Sequence, residues 1–201
     1  VRFLHVVGNP AIHDRAGTKD LLAALPYVTE TCTVTLRCQD PGYVSELISV
    51  NWVPKSPSVT LVIDSSTTEN YWDLYPGHDV LIHPRRFGGL NLPAQEALAA
   101  GLVVLMPRIS PNDDLLPGDW LFPAETYGKF MARQPIDLYR TDPRVLAGMI
   151  NRFADISYLE TQRDRAHLYS EPLSWEVQKT FYDSVFENIV AGNIPRLESL
   201  S

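Results

Sequence analysis

The sequence predicts an α/β fold, a doubly wound parallel sheet of Rossmann-like type with helices following it. Three observations carry this. Strand-like and helix-like segments alternate along the first two thirds of the chain. The strand-like segments are near-continuous runs of Val, Ile and Leu, as strands buried on both faces require. With 201 residues and 45% hydrophobic content, the chain has material for one substantial core.

Taken in order, "RFLHVVG" is an apolar strand ending at Gly8, and "TKDLLAALPYV" has helical spacing. "CTVTLRC" is β-branched and strand-like, and "PGYVSELISV" is a short helix behind a turn. "SVTLVID" is a third strand and "TTENYWDLY" a short helix. "HDVLIHP", "LPAQEALAAG" and "LVVLMP" read as strand, helix and strand. "NDDLLPGDWLFPA" is a loop with a short final strand. From Asp142 onward the pattern turns to amphipathic helices. Asp142 suits an N-cap before Pro143, and a last helix begins near Pro172 or Ser174. Trp175, Phe181, Val185 and Ile189 fall on or near one of its faces. The expected organisation is residues 1–170 as one domain and residues 171–201 as a terminal helix and tail.

Composition narrows the function. A net charge of −7 argues against a broad grip on nucleic acid, so no nucleic-acid groove is inferred. Cys32 and Cys38 fit no common zinc spacing and make no disulfide framework. No metal site is expected, no apolar run is long enough to span a bilayer, and a reducing cytoplasm is the default. The opening in mid-strand gives the expectation of a piece cut from a longer protein.

In an open parallel sheet, ligands bind beyond the carboxyl ends of the strands. The first such loop, "GNPAIHDRAGTKD", offers Gly8 and Gly17 for backbone freedom, with Asn9 beside Gly8. His13, Arg15 and Lys19 bring charge, and Thr18 suits a helix cap. Such a loop is either an anion site or an ordinary βα connection. Tyr71, Trp72 and Tyr75 either flank a flat base or belong to the core. In "PRRFGGLNLPAQEA", Gly88 and Gly89 let the backbone approach a ligand. The amides of Leu90, Asn91 and Leu92 then lead into a helix. Arg85 and Arg86 add charge suited to phosphate. Glu96 either complements the helix dipole or accepts from two sugar hydroxyls. Two opposed phosphate loops, with a carboxylate placed for a ribose, describe a nucleotide-diphosphate site.

"HDVLIHPRRFGGLNLPAQEALAAGLVVLMP" resembles the donor-binding segment of GT-B glycosyltransferases, above all the family-4-like retaining enzymes of glycosyltransferase group 1. Their usual form is a strand, Glu-Gly-Phe-Gly, and a helix beginning Leu-Pro that carries a Glu. "LSWEVQKTFYDSVFENIV" is similar to the fold's final helix, which often carries Ser-Trp-Glu. The resemblance covers nearly the whole chain, as the C-terminal, donor-binding half of the fold. It implies transfer of a sugar from a nucleotide-diphosphate donor, UDP-linked or other, to an unknown acceptor with retention. No metal or other cofactor is implied. It also implies a partner N-terminal domain, against which the last helix packs.

By the same resemblance, Glu96 binds the donor ribose, while Gly89, Leu90 and Asn91 form the turn facing sugar and diphosphate. Arg15 and Lys19 supply catalytic charge to the departing diphosphate. Two departures stand out. Gly88 occupies the position of the family's first acid, eight positions before Glu96, and Asn9 stands where an Arg usually follows the first glycine. A sugar-nucleotide epimerase and a non-catalytic nucleotide-sugar binding module are the alternatives.

Overall fold

The computed structural model describes residues 1–8, 14–49 and 56–193. Six parallel strands form one sheet: β1 (Arg2–Gly8), β2 (Cys32–Cys38), β3 (Val59–Asp64), β4 (Val80–Ile82), β5 (Val103–Pro107) and β6 (Leu121–Phe122). Helices α1 (Thr18–Ala24), α2 (Pro41–Ser49) and α3 (Leu92–Ala99) follow β1, β2 and β4, and a single turn, α4 (Asn112–Leu115), precedes β6. The expected doubly wound α/β architecture is present.

Strand order is β3-β2-β1-β4-β5-β6. The chain therefore winds outward in one direction from β1 and in the other from β4. These two strands are neighbours, paired through Phe3 with Val80 and Leu4 with Leu81. Their connections diverge at the carboxyl ends, which opens a crevice between them.

Burial follows position in the sheet. Every residue of β4 and β5 is buried, as continuous apolar runs in central strands require. The expectation of burial on both faces fails for β3, where Val62 and Ile63 are exposed. β3 is an edge strand, covered less than the centre. Trp120, Phe122 and Phe153 close the core beneath β5 and β6.

Two further differences concern local structure. "TTENYWDLY" forms only a 3-10 turn over Tyr71–Leu74 rather than a helix. An antiparallel hairpin, β7 (Glu125–Met131) with β8 (Pro135–Arg140), follows β6 and is absent from the sequence expectation. Leu138 is its one buried residue, so its strands lack the apolar runs that mark the main sheet.

The helical third is built on local caps. The Asp142 carboxylate accepts from the amide of Arg144 at 2.7 Å, with Pro143 opening α5 (Pro143–Ala154). Asp155 accepts from the amides of Ser157 and Tyr158, which ends α5 and starts α6 (Ile156–Ser170). Ser174 caps α7 (Trp175–Val190) through the amide of Val177. No residue of α7 is buried; Trp175, Phe181 and Phe186 are all more than 60% exposed. No described helix is long and apolar enough to cross a membrane.

Candidate functional site

The switch point between β1 and β4 holds a cleft of about 550 Å³. Val6, Val7 and Gly8 end β1 on one side, and Arg15 and Ala16 follow in the next loop. His83 and Arg85 come from the end of β4, and Leu90 to Pro93 from the start of α3. Asn9 and His13, expected in the first loop, lie outside the described residues.

The two loops touch. Gly17 has φ 72°, and a Cβ there would stand 1.8 Å from the backbone oxygen of Pro84, so only glycine permits the contact. The Arg86 amide donates to the carbonyl of Arg15 at 3.0 Å, joining the loops a second time.

The amides opening α1 are already satisfied. The Asp14 carboxylate accepts from the amides of Thr18 (3.2 Å) and Lys19 (3.1 Å). The expected anion site at this helix start is thus filled by the chain's own carboxylate. Thr18 is not the cap; Gly17 holds that position. Thr18 is fully buried and bonds His5 Nε2 at 3.0 Å, while Nδ1 of His5 meets the Ile82 carbonyl at 2.9 Å. Lys19 is the second residue of α1 and lies outside the ring of residues around the cleft.

The paired arginines have separate fates. Arg86 is turned away from the cleft. It pairs with Asp20 (2.9 Å) and Asp14 (3.4 Å) and donates to the Tyr127 hydroxyl at 2.9 Å. Its charge is met within the chain by these partners. Asp20, in turn, has its carboxyl pushed up by burial, against the pull of Arg86.

Arg85 faces the cleft and is only 6% exposed. None of the ion pairs among the described residues includes it. Burial, with repulsion from Arg15, pushes its pKa down to about 10, so it still carries its charge at neutral pH. Arg15 lies over the Phe87 ring, 4.8 Å from its centre. Both guanidinium groups converge on Gly89, which has φ 143°. A Cβ there would stand 2.9 Å from Nη2 of Arg15 and 3.7 Å from Nη2 of Arg85. Beside them His83 is 5% exposed, with a buried Nδ1 that has no partner among the described residues. Burial first, then the neighbouring positive groups, hold its pKa well below the ordinary histidine value.

The turn into α3 has a left-handed backbone. Asn91 sits at φ 47°, a conformation asparagine tolerates better than most residues. It precedes the helix without capping it; its side-chain amide donates to Met106 Sδ instead. The first amides of α3 therefore receive no side-chain cap. Leu90 and Leu92 flank this turn, both more than half exposed.

Gly88 is held close to the loop after β5. A Cβ at this position would stand 2.2 Å from the backbone oxygen of Ser110, so the loop after β5 fills the place where a side chain would begin.

Glu96 is the fifth residue of α3 and lies beyond its first turn, which weakens the dipole explanation. It accepts a hydrogen bond from the Tyr75 hydroxyl. Tyr75 is 1% exposed, so of the three aromatics it belongs to the core. Tyr71 and Trp72 are exposed, in edge-to-face contact. Tyr71 also lines a second cavity of about 450 Å³, with Arg37, Ser65 and Ser66. This cavity shares Val6 and Gly8 with the first, so the two form one cleft across the strand ends. Asp14, His83 and the Tyr75 hydroxyl shape the region, yet no motif marks them. An acid between two basic residues in "HDR" is the faintest of signals.

No family model and no curated protein matches this chain. Solved structures do. A sucrose-phosphate synthase from Thermosynechococcus elongatus superposes with a TM-score of 0.64 at 18% identity, over 95% of this chain and 46% of that one. A glycosyltransferase from Rickettsia africae gives 0.61 at 11% identity, over 94% and 48%. The C-terminal domain of a glycosyl transferase group 1 family protein from Francisella tularensis gives 0.56 at 16% identity, over 84% and 82%. The chain thus spans about half the length of the first two and most of the isolated domain. At these identities the likeness establishes the fold alone: an α/β domain with a parallel Rossmann-like sheet and C-terminal helices, shared with these structures.

Proposed function

We propose that this chain is the donor-binding half of a glycosyltransferase and holds a nucleotide-diphosphate sugar across the β1/β4 crevice. The observation that carries the reading is Arg85: a buried, charged guanidinium with no carboxylate partner among the described residues, facing a cleft beside Arg15. A buried cation left unpaired is costly, and an anionic ligand removes that cost. Two guanidinium groups over a glycine turn suit a diphosphate, whose oxygens accept in-plane bonds.

The rest of the donor follows from the shape. The uncapped amides at the start of α3 meet the phosphates or sugar. Glu96 lines neither cavity itself; it lies one turn along α3 from Leu92 of the first and accepts from Tyr75, which follows Leu74 of the second. A ribose at this point places its hydroxyls toward the carboxylate and the base toward Tyr71 and Ser66. In transfer, Arg15 and Arg85 stabilise negative charge as the diphosphate departs, in place of the expected Lys19. The acceptor hydroxyl attacks the same face, with retention as the family resemblance implies. The acceptor side of the cleft comes from a further domain, which the exposed aromatic face of α7 suits.

Calorimetric titration of UDP, GDP, ADP and dTDP into the chain tests this reading. One nucleotide is expected to bind, and Arg85→Met to abolish it; equal affinity in Arg85→Met contradicts it. One observation favours a second reading, a non-catalytic binding module: Ser110 blocks the acid position at residue 88. Nucleotide binding without transfer or hydrolysis, measured on protein that includes an acceptor domain, would select it.

A further inference from the structure

We propose that the β7–β8 hairpin positions Arg15 for its anionic ligand through an aromatic stack of Phe130, Phe87 and the Arg15 guanidinium. The inference deepens the proposed function and rests on it.

Arg15 is exposed and belongs to none of the ion pairs among the described residues. A free arginine of this kind samples many rotamers, and ordering it costs binding energy. Here a flat surface lies beneath it: the Phe87 ring, 4.8 Å from the guanidinium carbon. Stacking on an aromatic face holds the fork in one plane and leaves its N–H edges for a ligand. Phe87 is itself 8% exposed, and the Phe130 ring lies against it with centres 5.1 Å apart.

Phe130 belongs to β7, and the hairpin is fastened to the same loop elsewhere. The Tyr139 amide donates to the Arg86 carbonyl at 2.7 Å, and the Tyr127 hydroxyl accepts from Arg86. Arg86 pairs with Asp14, the residue before Arg15. The hairpin therefore meets Arg15 by two routes. One reaches its side chain through Phe87, and the other reaches its backbone through Arg86 and Asp14. Phe130 and Phe87 are positioning residues on this account, since they act through Arg15.

A double-mutant cycle tests it, with inorganic pyrophosphate as the probe because it needs no base pocket. The full chain is titrated calorimetrically as wild type, Phe130→Ala, Phe130→Trp, Arg15→Met and Phe130→Ala with Arg15→Met. Phe130→Leu replaces the alanine variant if that one does not fold. The expected loss from Phe130→Ala is roughly three- to tenfold, within the worth of the Phe87–Arg15 cation–π contact that Phe130 supports, and Phe130→Trp keeps affinity near wild type. In the Arg15→Met background the same change costs less than about twofold, because the residue it positions is gone. An equal loss in both backgrounds, or none in the first, overturns the proposal. Wild type that fails to bind pyrophosphate overturns it together with the proposed function. Pyrophosphate binding with no affinity for any nucleoside diphosphate defeats only the nucleotide reading.

Discussion

The carbonyl oxygen of Ser110 stands 2.2 Å from where a Cβ of residue 88 would be built. Gly88 is therefore a packing requirement of the loop after β5 as well as a missing acid. Gly88→Ala is expected to destabilise the chain by about 1–3 kcal/mol in urea unfolding, since backbone rather than a flexible side chain must move. Gly88→Glu is expected to gain no sugar-nucleotide affinity. An unchanged urea midpoint for Gly88→Ala would remove the packing argument.

Arg85 gives a prediction of opposite sign. A buried guanidinium without a counter-ion lowers stability in the empty protein. Arg85→Met is expected to raise unfolding stability without ligand by about 1–3 kcal/mol while removing stabilisation by pyrophosphate. Denaturant titration with and without pyrophosphate checks both halves. A variant less stable than wild type and still stabilised by the anion contradicts the assignment.

Glu96 separates ribose from diphosphate recognition. Glu96→Gln keeps an acceptor for the buried Tyr75 hydroxyl, so the fold is spared an unsatisfied donor. Loss of the charge is expected to weaken nucleoside diphosphate binding by about 1–2 kcal/mol and leave pyrophosphate unaffected. An equal loss for both ligands would place Glu96 outside the ribose site.

Stability should fall with acid in a defined window. His5 and His83 are both buried and their pKa values lowered, chiefly by burial, from the ordinary 6.5. The folded state keeps these rings neutral, while the unfolded chain takes up protons near 6.5. Their contribution is complete above that value and is lost as pH falls toward the folded values. The slope cannot exceed about 1.4 kcal/mol per pH unit for each histidine. Urea unfolding at pH 7.5 and 5.5 is expected to show this decline, with a shallower slope in His83→Phe. A slope unchanged by that substitution would mean that His83 takes up its proton in the folded state.

Much of the fold was legible because strand runs such as "HDVLIH" and "LVVLMP" are central and buried, where hydrophobic pattern and position agree. The β7–β8 hairpin was not, since "ETYGKFM" buries nothing and carries no periodic apolar face. Of the candidate site, the glycine turn was legible as a place of backbone freedom, while the left-handed conformation of Asn91 was not read from the sequence. The site was obscure where function depends on which charge meets which. Adjacent arginines in "RRF" look alike in sequence, yet Arg86 is paired to Asp14 and Asp20, and Arg85 is left facing the cleft. That division is set by long-range packing of β4, α1 and the hairpin, which no local pattern records.

The central claim is that the β1/β4 cleft takes a nucleotide-diphosphate sugar. A thermal-shift screen of UDP-, GDP-, ADP- and dTDP-sugars tests it most directly, because a ligand bound only by the folded state raises the melting temperature by mass action. One base is expected to stabilise the wild-type chain, with the shift absent in Arg85→Met. No shift from any of the four, or the same shift in Arg85→Met, would contradict the claim.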